Sequence, residues 1–132
     1  MEIKKKDKEY VRFKLTQGRD AYKEAQDLLA NGADLGYVIN NLYYAFYYPV
    51  LALLHAKEIP ATMQSVSIAL FEKEFVEIGL FERHFYDALR RAFDLKPKCS
   101  SVELKMITRA EIEELLAAAQ GFLDAVDRKT GL

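Results

Sequence analysis

Three side chains could serve as a base or a nucleophile near neutral pH, namely His55, His84 and Cys99. An imidazole titrates near neutrality, and a thiolate attacks electrophiles. His55 follows a run of tyrosines, where the dipole at a helix end would favour a positively charged ring, so we interpret it as a helix-end residue. His84 is expected on a solvated surface. Cys99 follows Lys98, which favours a thiolate, but the sequence fixes no base beside it.

Neither a metal nor a cofactor is expected. A carboxylate-bridged metal site in a helical bundle uses Glu-x-x-His pairs, but Ala52 and Phe81 stand three residues before the two histidines. A single cysteine excludes an internal disulfide and a multi-cysteine metal site. The chain also lacks a glycine-rich phosphate loop and a Gly-x-Ser-x-Gly elbow.

Positive charge gathers near the end of the fourth predicted helix, where Arg90, Arg91, Lys96 and Lys98 accompany a single acid, Asp94. A basic cluster is usually a solvated surface, but this one lies beside a predicted loop, where phosphate groups could reach it. The whole chain carries 19 Lys and Arg against 20 Asp and Glu, which argues against a protein that coats DNA. We predict that these four basic residues form a surface for phosphate contact.

No formally charged side chain occurs from Leu35 through Ala56, and this length would span a bilayer. The segment nevertheless contains five tyrosines, two asparagines and a proline, and tyrosine is typical of membrane interfaces rather than of mid-span positions. The composition therefore predicts a buried helix and no membrane contact. Because the chain is charged rather than apolar from Met1 to Lys14, no signal peptide is predicted, and a cytoplasmic protein is expected.

This second predicted helix carries two stripes at helical spacing. One stripe is apolar, whereas the other contains Tyr37, Asn41, Tyr44 and Tyr48. A surface helix has one apolar stripe, so two stripes indicate burial on two sides. In so small a domain, the second side is expected to be covered by another copy, which makes these four residues the predicted dimer interface. A tyrosine stripe would also suit stacking on a nucleotide base.

Two residues inside predicted helices mark places where helices meet or bend. Gly18 lies in the apolar stripe of the first helix, where a missing side chain allows close approach at a helix-propensity cost of roughly 1 kcal/mol. Pro49 leaves the carbonyl of Ala45 without its usual donor, so a kink is expected there.

The hydrophobic periodicity indicates helices throughout and no sheet, because no segment alternates with a period of two. Thr108 and Glu111 form the capping box of the last helix. The predicted architecture is all-α, an up-and-down bundle of four or five helices in one domain, 1–132. Whether residues 1–7 are helical or a frayed basic tail is left open. Helices are predicted over 8–30, 35–56, 62–78, 81–95 and 109–126, with a loop over 98–107.

The run Asn40-Asn41-Leu42-Tyr43-Tyr44-Ala45-Phe46-Tyr47 resembles the second helix of HEPN-domain proteins. Further matches follow in the same order, and together they cover most of the chain from about Asp20. They are found at 64–66, 70–71, 74–76, 79–80, 91–95 and 111–126.

The resemblance implies an all-α bundle that forms a homodimer with its second helix near the two-fold axis. HEPN proteins are commonly found with a small nucleotidyltransferase in toxin–antitoxin or defence pairs. Many are metal-independent ribonucleases whose active site lies in the dimer cleft. Their motif is an Arg followed after four to six residues by a His, supported by a polar residue on the second helix, which here would be Asn40 or Asn41.

The Arg–His motif is not found in this chain. Its arginine position holds Lys96, which can hold a phosphate as a point charge but cannot fork onto it. The leading hypothesis is therefore a homodimer that binds nucleotide or RNA phosphates, or a nucleotidyltransferase partner. One alternative is a ribonuclease in which Lys96 holds the phosphate, Asn41 and Tyr44 orient it, and His55 is the base. Another is a purely structural adaptor.

Overall fold

A computed structural model describes residues 1–96 and 107–132. Within these ranges the secondary structure is helical and contains no strand, so the prediction of an all-α bundle is confirmed. A short π-helical segment, Glu72–Val76, continues the third helix. The α-helices are α1 (Lys5–Ala30), α2 (Leu35–Ala56), α3 (Gln64–Phe71), α4 (Arg83–Leu95) and α5 (Arg109–Thr130).

The helix boundaries agree with the sequence signals in part. The bounds predicted for α2 are confirmed, and the backbone N–H of Glu111 donates to Thr108 Oγ1 at 3.1 Å, which caps α5. By contrast, α1 begins at Lys5 rather than at residue 8, because the side chains of Ile3 and Asp7 are buried and attach this end to the bundle. The predicted loop over 98–107 lies almost wholly outside the described residues.

Helix α2 forms the centre of the bundle. It makes its most extensive contact with α1 and also packs against α3, α4 and α5. The antiparallel arrangement of α1 and α2 follows from contacts between the start of one and the end of the other, such as Lys4 Nζ with Glu58 Oε1 at 2.8 Å. Within the described ranges, no helix has the length and apolar content needed to cross a membrane. The buried residues of α2 are Val38, Ile39, Leu42, Tyr43, Ala45, Phe46, Tyr47, Pro49, Val50, Ala52, Leu53 and Leu54.

Helices α1 and α2 approach most closely where Gly18 meets Pro49. A methyl group on Gly18 would lie 2.8 Å from both Cγ and Cδ of Pro49 and 3.5 Å from the carbonyl oxygen of Ala45. Because Pro49 has no N–H, that carbonyl lacks its usual helical donor, and the bare Gly18 backbone lies against it. The close approach expected at Gly18 is therefore present, and the groups that approach Gly18 are the ring of Pro49 and the carbonyl oxygen of Ala45.

We expect the Gly18→Ala protein to be less stable than the wild type. Overpacking lowers the free energy of unfolding by about 1–3 kcal/mol. The better helix propensity of alanine offsets roughly 1 kcal/mol of that loss. The measurement is the free energy of unfolding in urea. The control is the same substitution in a Pro49→Ala background, where the ring atoms are absent and the cost should be smaller. A stabilising Gly18→Ala substitution in the presence of Pro49 would contradict this account of the contact.

Candidate nucleic-acid interface

The four residues predicted as a dimer interface share one stripe of α2 that the chain leaves partly open. Tyr37 is 66% exposed, whereas Asn41, Tyr44 and Tyr48 are each partly buried. Asn41 Nδ2 donates to the backbone carbonyl of Tyr37 at 3.2 Å, so its amide serves the helix itself. We call these four residues the α2 stripe; the structure thus places all of them on one accessible face.

The tyrosine rings beside and within the α2 stripe contact one another. The Tyr44 and Tyr48 rings stack with centroids 5.2 Å apart, and the Tyr43 ring meets that of Tyr44 edge-on at 5.0 Å. Tyr43 also stacks on Tyr47 at 5.5 Å and contacts Phe93 of α4 at 5.6 Å. These contacts join α2 to α4 through a continuous aromatic layer.

The hydroxyl groups of this layer are shielded from solvent to different degrees, because Tyr43 and Tyr47 are buried and Tyr48 is partly buried. The Tyr43 hydroxyl donates to Gln64 Oε1 at 2.8 Å, and this bond ties α2 to the start of α3. Burial raises the pKa of Tyr43, with smaller contributions from Tyr47 and Tyr44. Burial likewise raises the pKa of Tyr47 and of Tyr48. These groups therefore stay protonated, and hydrogen-bond competent, over the physiological range.

One side of the α2 stripe is bordered by cations of α4 and the residue after it. Lys96 Nζ lies 5.3 Å from the ring centroid of Tyr43 and 5.8 Å from that of Phe93. The guanidinium carbon of Arg90 lies 5.6 Å from the Phe93 centroid. These distances are in the range of cation–π contacts. Among the described residues, Lys96 has no ion-pair partner. We call Arg90, Phe93 and Lys96 the α4 edge.

The basic cluster predicted from the sequence is divided in the structure. Arg90 and Lys96 converge on Phe93, but Arg91 points to α5, where its Nε and one terminal nitrogen donate to the Glu111 carboxylate at 3.1 and 3.2 Å. Lys98 lies outside the described residues. Since adjacent residues of a helix point about 100° apart, Arg90 and Arg91 could not both face α2.

The other side of the stripe is bordered by a cation that the sequence analysis did not single out as a site residue. Lys14 Nζ lies 5.3 Å from the ring centroid of Tyr48 and 5.7 Å from those of Tyr10 and Phe13. Phe13 is 59% exposed. In the sequence, two aromatic residues and this lysine lie next to the buried positions Val11 and Leu15. This spacing places them at the border of the buried face of α1, but it does not show which helix they contact. We call Tyr10, Phe13 and Lys14 the α1 edge.

His55 has a carboxylate partner that the sequence did not suggest. Its Nε2 lies 2.9 Å from Asp7 Oδ1, and its ring contacts that of Tyr10 at 4.1 Å. Asp7 is only 9% exposed and stands in the first turn of α1, whereas His55 stands in the last turn of α2, so the two helix dipoles favour opposite charges there. The pair borders a hollow of about 300 Å³ that is also lined by Lys6, Glu58, Ile59 and Pro60.

The candidate catalytic residues do not meet at one point. Lys96 lies over Tyr43, and His55 stands 12 positions farther along α2, which at 1.5 Å per residue is about 18 Å of helix. A single phosphodiester group cannot contact both side chains at that separation. Within the described ranges, no three His, Cys, Asp or Glu side chains gather as a metal ion would require. The arrangement therefore offers cations and ring faces for binding, and a separate His–Asp pair.

Comparison with known proteins finds relatives along most of the chain. A protein of Thermotoga maritima named "UPF0332 protein" is 31% identical over 112 residues, which cover 85% of this chain and 84% of the relative. A protein of Methanocaldococcus jannaschii, named as a candidate toxin, is 26% identical over 111 residues, which cover 84% of this chain and 76% of the relative. No protein-family model matches the chain.

The buried tyrosines predict loss of stability at alkaline pH. The pKa is raised in the folded state for Tyr43, Tyr47 and Tyr48, whereas unfolded tyrosine titrates near pH 10. The folded protein therefore retains protons that the unfolded chain releases. The contribution of these tyrosines to the free energy of unfolding is fully present below about pH 10 and falls as the pH rises beyond it.

The measurement is the free energy of unfolding in urea at a series of pH values from 8 to 11. The Tyr43→Phe protein should lose about 1 kcal/mol at pH 8 to 9, below the tyrosine titration, because its bond to Gln64 is removed. Its stability should also fall less steeply than that of the wild type above pH 10. Parallel curves for the two proteins would show that Tyr43 does not contribute to the alkaline transition.

Proposed function

The chain belongs to the UPF0332 family, and on that premise we propose that it is a HEPN-type homodimer that binds RNA or nucleotide phosphates as the toxin member of a toxin–antitoxin pair. The name of the Methanocaldococcus jannaschii relative supports the toxin class. The resemblance of 40–47 to the second HEPN helix supports the dimer and suggests a minimal nucleotidyltransferase as the antitoxin partner. One observation carries the binding role, namely the ammonium group of Lys96, which lies over the Tyr43 and Phe93 rings beside the accessible tyrosine stripe and has no ion-pair partner among the described residues.

The α2 stripe has the chemistry of a protein–protein contact. Tyr37, Tyr44 and Tyr48 combine apolar area with polar tips, which suits a surface that is wet in the monomer and dry in a complex. The stripe contains no charge, so its burial against a second copy would leave no ion without a partner. A two-fold contact uses the same patch of both chains. The α2 stripe meets that requirement because its residues are uncharged, so two copies of the stripe do not repel each other.

The α4 edge has the chemistry of a phosphate and base site. Lys96 offers a charge that no described carboxylate neutralises, and within the described ranges the carboxylate facing Arg90 is that of Asp94, at a long distance of 3.9 Å. The neighbouring Phe93 ring is partly exposed and can stack on a base. Arg91 is a weaker candidate than the sequence suggested, since Glu111 already accepts both of its hydrogen bonds.

The same geometry favours binding over cleavage. Cleavage of RNA without a metal requires a base, and in the displaced set that base is His55, which lies about 18 Å of helix from the Lys96 site. The ring of His55 is also held by a buried carboxylate between two helix ends, which is a structural role that needs no substrate. Ribonuclease activity is therefore the second candidate function.

We expect Lys96→Ala to weaken binding of a fluorescein-labelled single-stranded RNA of ten nucleotides. Loss of one phosphate contact should lower the dependence of log affinity on log salt by about 0.7. Arg91→Ala should have a smaller effect, because Glu111 already occupies that guanidinium. Lys129→Ala, on the exposed end of α5, is the matched control. Fluorescence anisotropy at several salt concentrations measures all four proteins.

Equal affinity of the wild type and the Lys96→Ala protein would exclude the α4 edge as the phosphate site. The RNA recovered from each titration, carried out in a chelator, also tests the second candidate function. Intact RNA supports binding without cleavage. A shortened product that persists in the Lys96→Ala protein and disappears in the His55→Ala protein would favour a ribonuclease centred on the Asp7–His55 pair.

The dimer is tested separately from the ligand. Sedimentation equilibrium should give about twice the chain mass of 15.2 kDa for the wild type. Tyr44→Glu should shift the protein toward the monomer, because dimerisation would bury an unpaired charge. Tyr44→Phe keeps the ring and should remain dimeric. A wild type that is monomeric at micromolar concentration would contradict the proposed interface.

A further inference from the structure

The α1 edge repeats the chemistry of the α4 edge on the opposite side of the α2 stripe, and the proposed function assigns it no ligand. In each, one lysine lies over aromatic rings of two helices: Lys96 over Tyr43 and Phe93, and Lys14 over Tyr48, Tyr10 and Phe13. We propose that the α1 edge is a second nucleotide subsite, so that the ligand is a single-stranded oligonucleotide rather than a mononucleotide. This inference rests on the proposed function and adds residues to it.

The charge of Lys14 is available to a phosphate. Among the described residues it forms no ion pair, although α1 carries acids on its other faces. Its ammonium group is held over three ring faces, which position it without neutralising it. A lysine fixed in this way loses less side-chain entropy when it binds an anion than a freely rotating surface lysine would.

The rings of the α1 edge are open to a base. Phe13 is 59% exposed and Tyr10 is 38% exposed, and both rings lie next to the Lys14 ammonium group. An exposed aromatic ring beside a cation is the pattern by which proteins hold single strands, since the ring stacks on a base and the cation tracks the backbone. The bases of a duplex are already stacked on one another, so this pattern selects against double strands.

The two subsites can be occupied by one strand. Lys14 and Lys96 lie over tyrosines that are five positions apart on α2, a rise of about 7.5 Å, and they flank the same stripe. A mononucleotide can fill only one of the two edges, whereas an oligonucleotide can contact both.

The test compares uridine monophosphate with a labelled ten-residue oligouridylate, by competition and by fluorescence anisotropy. The wild type should bind the oligonucleotide at least ten-fold more tightly than the mononucleotide. Lys14→Ala should lose most of that advantage, with a salt dependence lower by about 0.7. Phe13→Ala should also weaken oligonucleotide binding, by about ten-fold. A ten-base-pair duplex should bind the wild type more weakly than the single strand.

Two variants serve as controls for Lys14→Ala. Lys23→Ala removes a lysine nine residues along α1, which is a rotation of about 180° to the opposite side of the helix, and should have no effect. Lys14→Arg retains the charge over the rings and should retain the oligonucleotide affinity. Thermal unfolding curves of all variants show that a loss of binding is not a loss of fold.

The outcomes separate this inference from the proposed function. Wild-type binding of neither probe overturns both. Tight oligonucleotide binding that Lys96→Ala weakens and Lys14→Ala does not touch overturns the second subsite alone. If Lys14→Ala leaves affinity unchanged and instead shifts the monomer–dimer equilibrium, the α1 edge belongs to the protein contact, and the subsite is overturned in that case as well.

Discussion

The contact between Gly18 and Pro49 sets the geometry on which the candidate site depends. Two helices can approach this closely only where one of them lacks a side chain, and the ring of Pro49 fills the space that a methyl group on Gly18 would need. The distance and register of α1 against α2 follow from this contact. With the register fixed, Lys14 lies over Tyr48 at one turn from the crossing, and Asp7 reaches His55 at the far end of the helix pair.

The unusual composition of α2 follows from its position among four other helices. A central helix must be uncharged on every side that packs, and most of its residues are therefore apolar. Tyrosine replaces leucine or phenylalanine on the side that opens to solvent, because its ring packs while its hydroxyl group reaches water. On the buried side, the Tyr43 hydroxyl instead donates to Gln64. The same residues thus stabilise the bundle and present a surface with polar tips to a ligand or a second chain.

The aromatic rings next to the cations distinguish a candidate site from an ordinary charged surface. Lysine and arginine are common on any protein surface, and a local excess of charge in the sequence does not distinguish a site from a solvated face. In this protein, the basic residues differ in whether a carboxylate or an aromatic ring lies next to the positive charge. Arg91 is neutralised by Glu111, whereas Lys14 and Lys96 lie over aromatic faces and are not neutralised by any described carboxylate. Two edges of similar chemistry therefore flank one tyrosine stripe.

The sequence by itself determined the all-helical architecture and the bounds of α2, because hydrophobic period, capping residues and the absence of charge are properties of the local sequence. It also placed Tyr37, Asn41, Tyr44 and Tyr48 on one stripe, since helical spacing alone decides that. Only the tertiary structure decided which cations border the stripe. Charge runs identify a basic segment, but the partner of each residue depends on its rotation about the helix axis and on the neighbour that it meets. The structure therefore shows Arg91 bonded to Glu111 and His55 paired with Asp7. It also shows Lys14 over Tyr48, although the sequence did not indicate Lys14 as a site residue.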